Sequence, residues 1–157
     1  MTIGRRGKES GLTYVEVMIT IAILLILAAA TIPVARTTIK RQRELELKAA
    51  LREMRSAIDN YKKYVDQGLL PQEGLDSEGY PPDLDALVEG SKLTGSIDKQ
   101  IRFLRRIPKD PMTGTYEWGL RSLQDDPNSM SWGRQNVFDV YTTSEAKGLD
   151  GTPYNQW

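Results

Sequence analysis

The chemistry open to this chain of 157 residues is limited by its composition, because it contains no His and no Cys. Imidazole acid–base catalysis, thiol nucleophiles, disulfides and Cys/His zinc sites are excluded, and any metal would need oxygen ligands. Paired carboxylates remain at Asp125-Asp126 and at Asp83 and Asp85. Both pairs lie in predicted loops or helix caps, so we interpret them as solvated groups rather than as catalytic pairs. The sequence predicts that the protein is not an enzyme.

One carboxylate has an unusual position, because Glu16 directly precedes a long segment without charge. Residues 17–35 read VMITIAILLILAAATIPVA. At about 1.5 Å per residue, a helix of this length just spans a hydrocarbon core of roughly 30 Å. A carboxylate carried to the centre of such a core costs about 2.5 to 3.5 kcal/mol, so Glu16 should have a partner or a function. We therefore predict a membrane helix with a functional acidic residue at its start.

An ordinary secretory signal peptide is the alternative interpretation of this N-terminus. Its basic region and its A-x-A cleavage site are both present, at Arg5, Arg6 and Lys8 and at Ala28-Ala29-Ala30. The apolar character continues past the Ala triplet, however, and a signal peptide needs no acidic residue such as Glu16. Cleavage after Ala30 would leave a secreted or membrane-tethered soluble domain with a binding or enzymatic role.

The residues around Glu16 carry a more specific signal. A short basic leader is followed by Gly11-Leu12-Thr13-Tyr14-Val15-Glu16 and then by the apolar run. This arrangement resembles the class III signal of type IV pilins and type II secretion pseudopilins. The resemblance implies that a prepilin peptidase cuts after Gly11 and methylates the new N-terminal residue, Leu12. It also implies that Glu16 is the family's acidic fifth residue, which acts in assembly.

The resemblance implies a structural role with several partners. The new amine on Leu12 would lie four residues before Glu16, where the opposite charges could pair within a chain or between stacked chains. The chain would form a homopolymer, a pseudopilus that helps to drive protein export across the outer membrane, with an inner-membrane assembly platform and minor pseudopilins. It would pass once through the bacterial inner membrane with its head in the periplasm, and then enter a periplasmic filament. No cofactor is implied, and the balance of 21 basic and 21 acidic residues suggests no nucleic-acid partner.

Pro33 lies near the end of the apolar run, at a position where pilins commonly have Pro. We predict a helix kink there, because proline removes one backbone hydrogen bond, with a helix end at Ile32 as the alternative. The chain then has no Gly or Pro until Gly68. Apolar residues at spacings of four and three predict one buried face of a helical stem. They are Leu47, Leu51, Met54, Ile58, Tyr61 and Val65.

The remaining sequence predicts a small head with little regular structure. Asp83 should cap a short helix, Leu84–Glu89, and two strands are predicted at Tyr116–Arg121 and Asn136–Thr142. In the second strand, Val137, Asp139 and Tyr141 should face one side and Phe138 and Val140 the other. The motifs Tyr80-Pro81 and Ile107-Pro108-Lys109-Asp110-Pro111 resemble those of major pseudopilins. The absence of Cys favours a pseudopilin over a type IV pilus pilin, which is the alternative within the family.

The predicted fold class is α+β and pilin-like: a long N-terminal helix, transmembrane in one half and amphipathic in the other, packed on a small head with a short helix and a small antiparallel sheet. The predicted boundaries are a leader at 1–11, a membrane and filament-core helix at 12–35, a stem at 36–66 and a periplasmic head at 67–157. Gly148–Thr152 lies where relatives carry a Ca²⁺ loop. Because it offers Asp150, Thr152, the neighbouring Glu145 and backbone carbonyls but lacks the family's downstream acidic pair, we predict a plain turn, with bound calcium as the alternative.

Overall fold

A computed structural model describes residues 11–95 and 99–157, with the backbone alone at 30–35 and at 75. Its main element is helix α1, Tyr14–Asp66, which is followed by a single 3₁₀ turn, Leu75–Ser77, and by helix α2, Asp85–Glu89. Strands β1, Ser91–Lys92, and β2, Gln100–Ile101, form one antiparallel pair, and β3, Gly119–Arg121, and β4, Asp139–Tyr141, form another. A second 3₁₀ turn, Tyr154–Gln156, ends the chain. The predicted α+β, pilin-like arrangement is confirmed, and the leader before Gly11 lies outside the described residues.

The chain divides into two units, one ending at Ile39 and the other comprising Lys40–Trp157. The first unit contains the N-terminal part of α1. The helix passes through position 33, so the helix end at Ile32 is not what the structure shows, whereas the kink at Pro33 stays a prediction. Within the described part of the chain, no helix has a stretch both long and apolar enough to cross a bilayer. The membrane span predicted for 12–35 therefore also stays a prediction.

The second unit is built around the predicted apolar face of the stem. Leu47, Leu51, Met54, Ile58 and Tyr61 are at most 2% exposed, and Val65 packs at the edge of the same core. The head covers this face with fully or nearly fully buried side chains that come from every part of its sequence: Leu70, Leu87, Leu104, Val137, Val140 and Tyr154. Each large apolar side chain buried in this way contributes about 1.5 to 3 kcal/mol, so the stem face is the main source of the unit's stability.

Helix α2 begins as its sequence predicts. The Asp83 carboxylate accepts a hydrogen bond from the Ala86 N–H at 2.8 Å, which satisfies one of the free donors of the first turn. Leu84 already has helical dihedral angles, although the regular helix starts at Asp85. Leu84 and Leu87 are buried on the core side, as expected from the apolar pattern.

The second strand pair confirms the positions of the predicted strands but not their length. Leu120 lies opposite Val140 in an antiparallel register, and each strand has three residues. The predicted alternation over 137–141 is wrong, because Val137, Val140 and Tyr141 are all buried while Phe138 is 42% exposed. Val137 lies before the strand, where its N–H donates to the carbonyl of Pro81 rather than to β3. The pair β1–β2 was not predicted, since strands of two residues carry no periodic signal.

Candidate functional site

The predicted processing site lies on accessible backbone in front of α1. Residues 11–13 are not helical, and all three are exposed. A side chain added at Gly11 would meet no atom within 4 Å, and Leu12 is 70% exposed. Cleavage between Gly11 and Leu12 stays a prediction, since residues 1–10 lie outside the part of the chain that the structure describes.

Thr13 and Glu16 form the start of the helix. The Thr13 hydroxyl accepts a hydrogen bond from the Glu16 N–H at 3.3 Å, and the Thr13 carbonyl accepts from the Val17 N–H at 3.1 Å. This is half of a capping box, in which a Thr precedes a Glu by three residues. The exposed Glu16 carboxylate also lies in the first helical turn, where a negative charge is favoured by the helix dipole. We did not assign a capping role to Thr13 from the sequence, although its spacing from Glu16 is the signal that indicates one.

Residues 14–26 of α1 present large apolar side chains in all directions around the helix. Each residue turns the helix by about 100°, so apolar side chains at most positions of this segment cover every side of it, with Glu16 and Thr20 as the polar exceptions. The apolar side chains are between 39% and 80% exposed: Tyr14, Val15, Val17, Met18, Ile19, Ile21, Ile23, Leu24, Leu25 and Ile26. An isolated soluble protein rarely carries so large an apolar surface. The segment therefore requires an apolar environment outside the chain.

In the second unit, the charged groups are used to join the stem to the head. Asp139 on β4 accepts a hydrogen bond from the Arg55 Nε at 2.7 Å and one from Arg121 at 3.4 Å. Arg55 also donates to the carbonyls of Val140, at 3.1 Å, and of Trp157, at 2.8 Å. The stem arginine thus contacts both a strand and the last residue of the chain. No sequence signal indicates the contacts of Arg55, because its partners lie more than 80 residues further along the chain.

The Pro-Lys-Asp-Pro motif is a turn held by a buried carboxylate. Asp110 is fully buried and accepts hydrogen bonds from the Met112 N–H, at 2.8 Å, and from the Thr142 hydroxyl next to β4. Its own N–H donates to the carbonyl of Thr115 at 2.8 Å. The indole N–H of Trp118 donates to the carbonyl of Pro108 at 2.9 Å, which closes the motif against the first residues of the strand region. The motif that resembles the pseudopilins is therefore a structural joint.

One member of each carboxylate pair considered from the sequence has a structural role. Asp83 caps α2, as described above. Asp125 accepts hydrogen bonds from the Gly133 N–H at 3.0 Å and the Ser122 N–H at 2.7 Å, and these bonds lower the pKa of its carboxyl group. A general acid needs the opposite shift, since it must keep its proton near neutral pH. The geometry therefore favours the interpretation of Asp125 as a loop-stabilising group.

The loop at Asp150 is a turn that closes on itself. The Asp150 carboxylate accepts a hydrogen bond from the Thr152 N–H at 2.9 Å, which lowers the pKa of the exposed carboxyl group, and the Gly148 N–H donates to the Thr152 carbonyl at 2.8 Å. Calcium takes about six to eight oxygen ligands, commonly including several carboxylates. Across residues 11–95 and 99–157, no cluster of three acidic side chains could hold a metal ion. The loop offers one carboxylate, which already accepts a backbone hydrogen bond, so its oxygen ligands do not fit the calcium site that the sequence left open as an alternative.

A capped helix that begins with a mostly apolar segment, a stem with one buried face and a small head with two short strand pairs form a pilin-like arrangement. The chain is 27% identical over 154 residues to type II secretion system core protein G of Pseudomonas aeruginosa, a match that covers 94% of this chain and 90% of that protein. It is 29% identical over 150 residues to the protein of the same name in Vibrio cholerae, with 92% and 85% covered, and 25% identical over 154 residues to that of Klebsiella michiganensis, with 95% and 89% covered. These matches confirm the resemblance to the major pseudopilins. No family model matches the chain, and no solved structure matches it.

Proposed function

We propose that this protein is a structural subunit of a type II secretion pseudopilus, which polymerises through its N-terminal helix and helps to drive protein export across the outer membrane. The observation that carries the proposal is the apolar surface of α1 between Tyr14 and Ile26, which is exposed on every side of the helix. Three relatives named as core proteins of type II secretion systems, aligned over nearly the whole chain, support the assignment to that system.

The apolar helix suits two environments in succession. In a bilayer, its side chains are covered by lipid and its backbone groups are satisfied within the helix. In a filament, the same side chains are covered by the helices of neighbouring subunits, at about 25 cal/mol for each Å² of apolar surface removed from water. Transfer from one environment to the other therefore exposes little apolar surface to water. We propose that the chain is a single-pass protein of the bacterial inner membrane, with its head in the periplasm, until it enters the filament.

Processing would prepare the helix start for this transfer. A prepilin peptidase would cut after Gly11, on backbone that is accessible in the structure, and would methylate the amine of Leu12. That amine would lie on the residue directly before the Thr13 cap, four residues before Glu16. An amine and a carboxylate brought into an apolar filament core would each need a partner of opposite charge. Pairing of Leu12 with Glu16, within or between subunits, would satisfy both charges and define the axial register.

The role in assembly is structural, so the partners are proteins and lipid. Further copies of this chain would form the filament, and an inner-membrane assembly platform and minor pseudopilins would start and extend it. The acidic and basic groups in the head stabilise turns and join the stem to β4, which suits a non-enzymatic subunit. The proposal requires neither a cofactor nor nucleic acid.

The test replaces Glu16 and follows processing and assembly separately. We expect Glu16→Ala to be cleaved like the wild-type chain but to form few filaments, because breaking a buried pair of charges costs about 3 to 5 kcal/mol. The matched control is Glu46→Ala, which removes an exposed carboxylate from the same helix. Cleavage is measured by intact mass, and filaments are counted by electron microscopy after shearing.

Two results would contradict the proposal at different points. If Glu16→Ala assembles as well as wild type, the pairing role of Glu16 is wrong but the filament stands. If the wild-type chain is processed but forms no filament together with the complete secretion machinery, the filament role itself is wrong.

A further inference from the structure

The C-terminal segment, residues 146–157, contacts the stem through three side chains on one face of α1. Glu44, Lys48 and Arg55 are spaced by four and seven residues, so they lie along the same side of the helix. Glu44 contacts Leu149 and Tyr154, whereas Lys48 and Arg55 both contact Trp157, and the contacts join residues about 100 positions apart. These three residues and their partners in the C-terminal segment are called the latch below.

The central member of the latch is a buried carboxylate. Glu44 is 9% exposed, and its Oε1 accepts hydrogen bonds from the Leu149 N–H and from the Tyr154 hydroxyl, both at 2.8 Å. A hydrogen bond to a charged acceptor is about twice as strong as one to a neutral acceptor, and Glu44 accepts two. Without those donors, the buried charge would be costly, so burial of Glu44 is itself a sign that the contact is formed.

The other two members hold the end of the chain. The Lys48 ammonium lies 4.2 Å from the centroid of the Trp157 ring, and Arg55 donates to the Trp157 carbonyl at 2.8 Å. The Trp157 ring in turn packs edge-to-face against Tyr154, with centroids 5.0 Å apart. Tyr154 therefore links the carboxylate at Glu44 to the aromatic contact at Lys48.

The same segment contains the loop of residues 148–152, whose oxygen ligands do not fit a calcium ion. Asp150 supplies its only carboxylate between Gly148 and Thr152, and that carboxylate already accepts the Thr152 N–H. Leu149, whose N–H is bound by Glu44, lies next to Asp150 in this loop. The Glu44 carboxylate thus holds the loop by accepting a hydrogen bond from a backbone N–H group. A cation would instead bind the loop's carbonyl and carboxylate oxygens.

We propose that the latch replaces calcium in this protein: the Glu44 carboxylate, with Lys48 and Arg55, holds residues 146–157 on the stem, so that the head is ordered without a metal ion. The latch lies wholly within the unit Lys40–Trp157 and does not depend on filament formation. It predicts that this segment is insensitive to chelators but sensitive to the loss of Glu44.

The test is limited digestion of the full-length chain in detergent by endoproteinase Lys-C, which cleaves after lysine and needs no calcium, with cleavage after Lys147 as the readout. Lys147 is exposed and lies inside the latched segment, so its cleavage reports local opening rather than global unfolding. We expect the wild-type chain to be cleaved at the same rate with millimolar calcium chloride or with excess EDTA. Glu44→Ala should be cleaved about tenfold faster or more in both conditions, because two hydrogen bonds to a charged group are lost.

Two further variants keep the test decisive. Tyr154→Phe removes one of the two donors but keeps the ring, and it should give a smaller acceleration in a chain that still folds. Glu46→Ala removes an exposed carboxylate two residues from Glu44 and should leave the rate unchanged. The latch is wrong if EDTA accelerates cleavage of the wild-type chain and calcium reverses it, or if neither Glu44→Ala nor Tyr154→Phe differs from Glu46→Ala.

Discussion

Replacing Ile58 by alanine should destabilise the head more than any exposed substitution on the same helix. Ile58 is fully buried at the middle of the stem's apolar face. Truncation removes the transfer free energy of the lost methyl and methylene groups and leaves a cavity, because the surrounding core relaxes only in part. Such changes lower the free energy of unfolding by about 2 to 5 kcal/mol.

That loss is a large fraction of the stability of a unit of this size. Domains are usually stable by about 5 to 15 kcal/mol, so Ile58→Ala should remove roughly a third of the total. We expect the midpoint of thermal unfolding to fall by about 10 to 20 °C. Ile58→Val, which removes one methylene, should cost about 0.5 to 1.5 kcal/mol and fall between wild type and Ile58→Ala.

The assay is thermal or urea unfolding of the full-length chain in detergent, followed by tryptophan fluorescence. The three tryptophans, Trp118, Trp132 and Trp157, all lie in or against the core of the unit Lys40–Trp157, so their combined emission reports loss of that core and not of the apolar helix start. Leu45→Ala is the matched control, because Leu45 lies on α1 and is 63% exposed. It should change stability by less than about 0.5 kcal/mol. If Ile58→Ala is as stable as Leu45→Ala, the stem face is not the core of the unit.

Two other predictions concern the unit Lys40–Trp157. A fragment that begins at Lys40 keeps the whole core and lacks the apolar helix start. It should be soluble and monomeric by light scattering, unfold in one cooperative transition, and form no filaments. Filaments of this fragment would contradict assembly through the apolar start of α1. Stability should also fall at alkaline pH. Burial, together with the hydrogen bond to Glu44, raises the pKa of Tyr154 from its ordinary value of 10.0 to about 12, so its contribution is complete below about pH 10 and is lost as pH rises towards about 12. Tyr154→Phe should lose part of this dependence in unfolding curves measured between these values, and an unchanged alkaline slope would show that Tyr154 does not cause it.

Local patterns in the sequence predicted the features that depend on neighbours along the chain. The face from Leu47 to Tyr61 is buried as its helical spacing indicates, because that spacing alone decides which residues share a side. The Asp83 cap is confirmed for the same reason, since its acceptor and donor are three residues apart.

Contacts between distant residues could not be predicted in this way. Strand β4 is shorter than the predicted strand because the Val137 N–H donates to the carbonyl of Pro81, more than 50 residues earlier, and not to β3. The polar residues Glu44 and Arg55 look like part of a solvated stem face, and only the folded head shows that their partners are at Leu149, Tyr154 and Asp139. The capping role of Thr13 was missed for a different reason: its spacing to Glu16 is a local signal that indicates a cap, but it was not interpreted as one.

The most direct test of the filament account is the mass of the mature N-terminus in membranes of cells that express the chain with a prepilin peptidase. Cleavage after Gly11 and methylation of Leu12 would leave the apolar segment intact as the assembly helix. The account predicts one mature species that begins at Leu12 and carries one N-methyl group. A mature chain that begins at Thr31 would contradict it, since cleavage after Ala30 would remove the exposed apolar residues from Leu12 to Ile26 on which assembly depends.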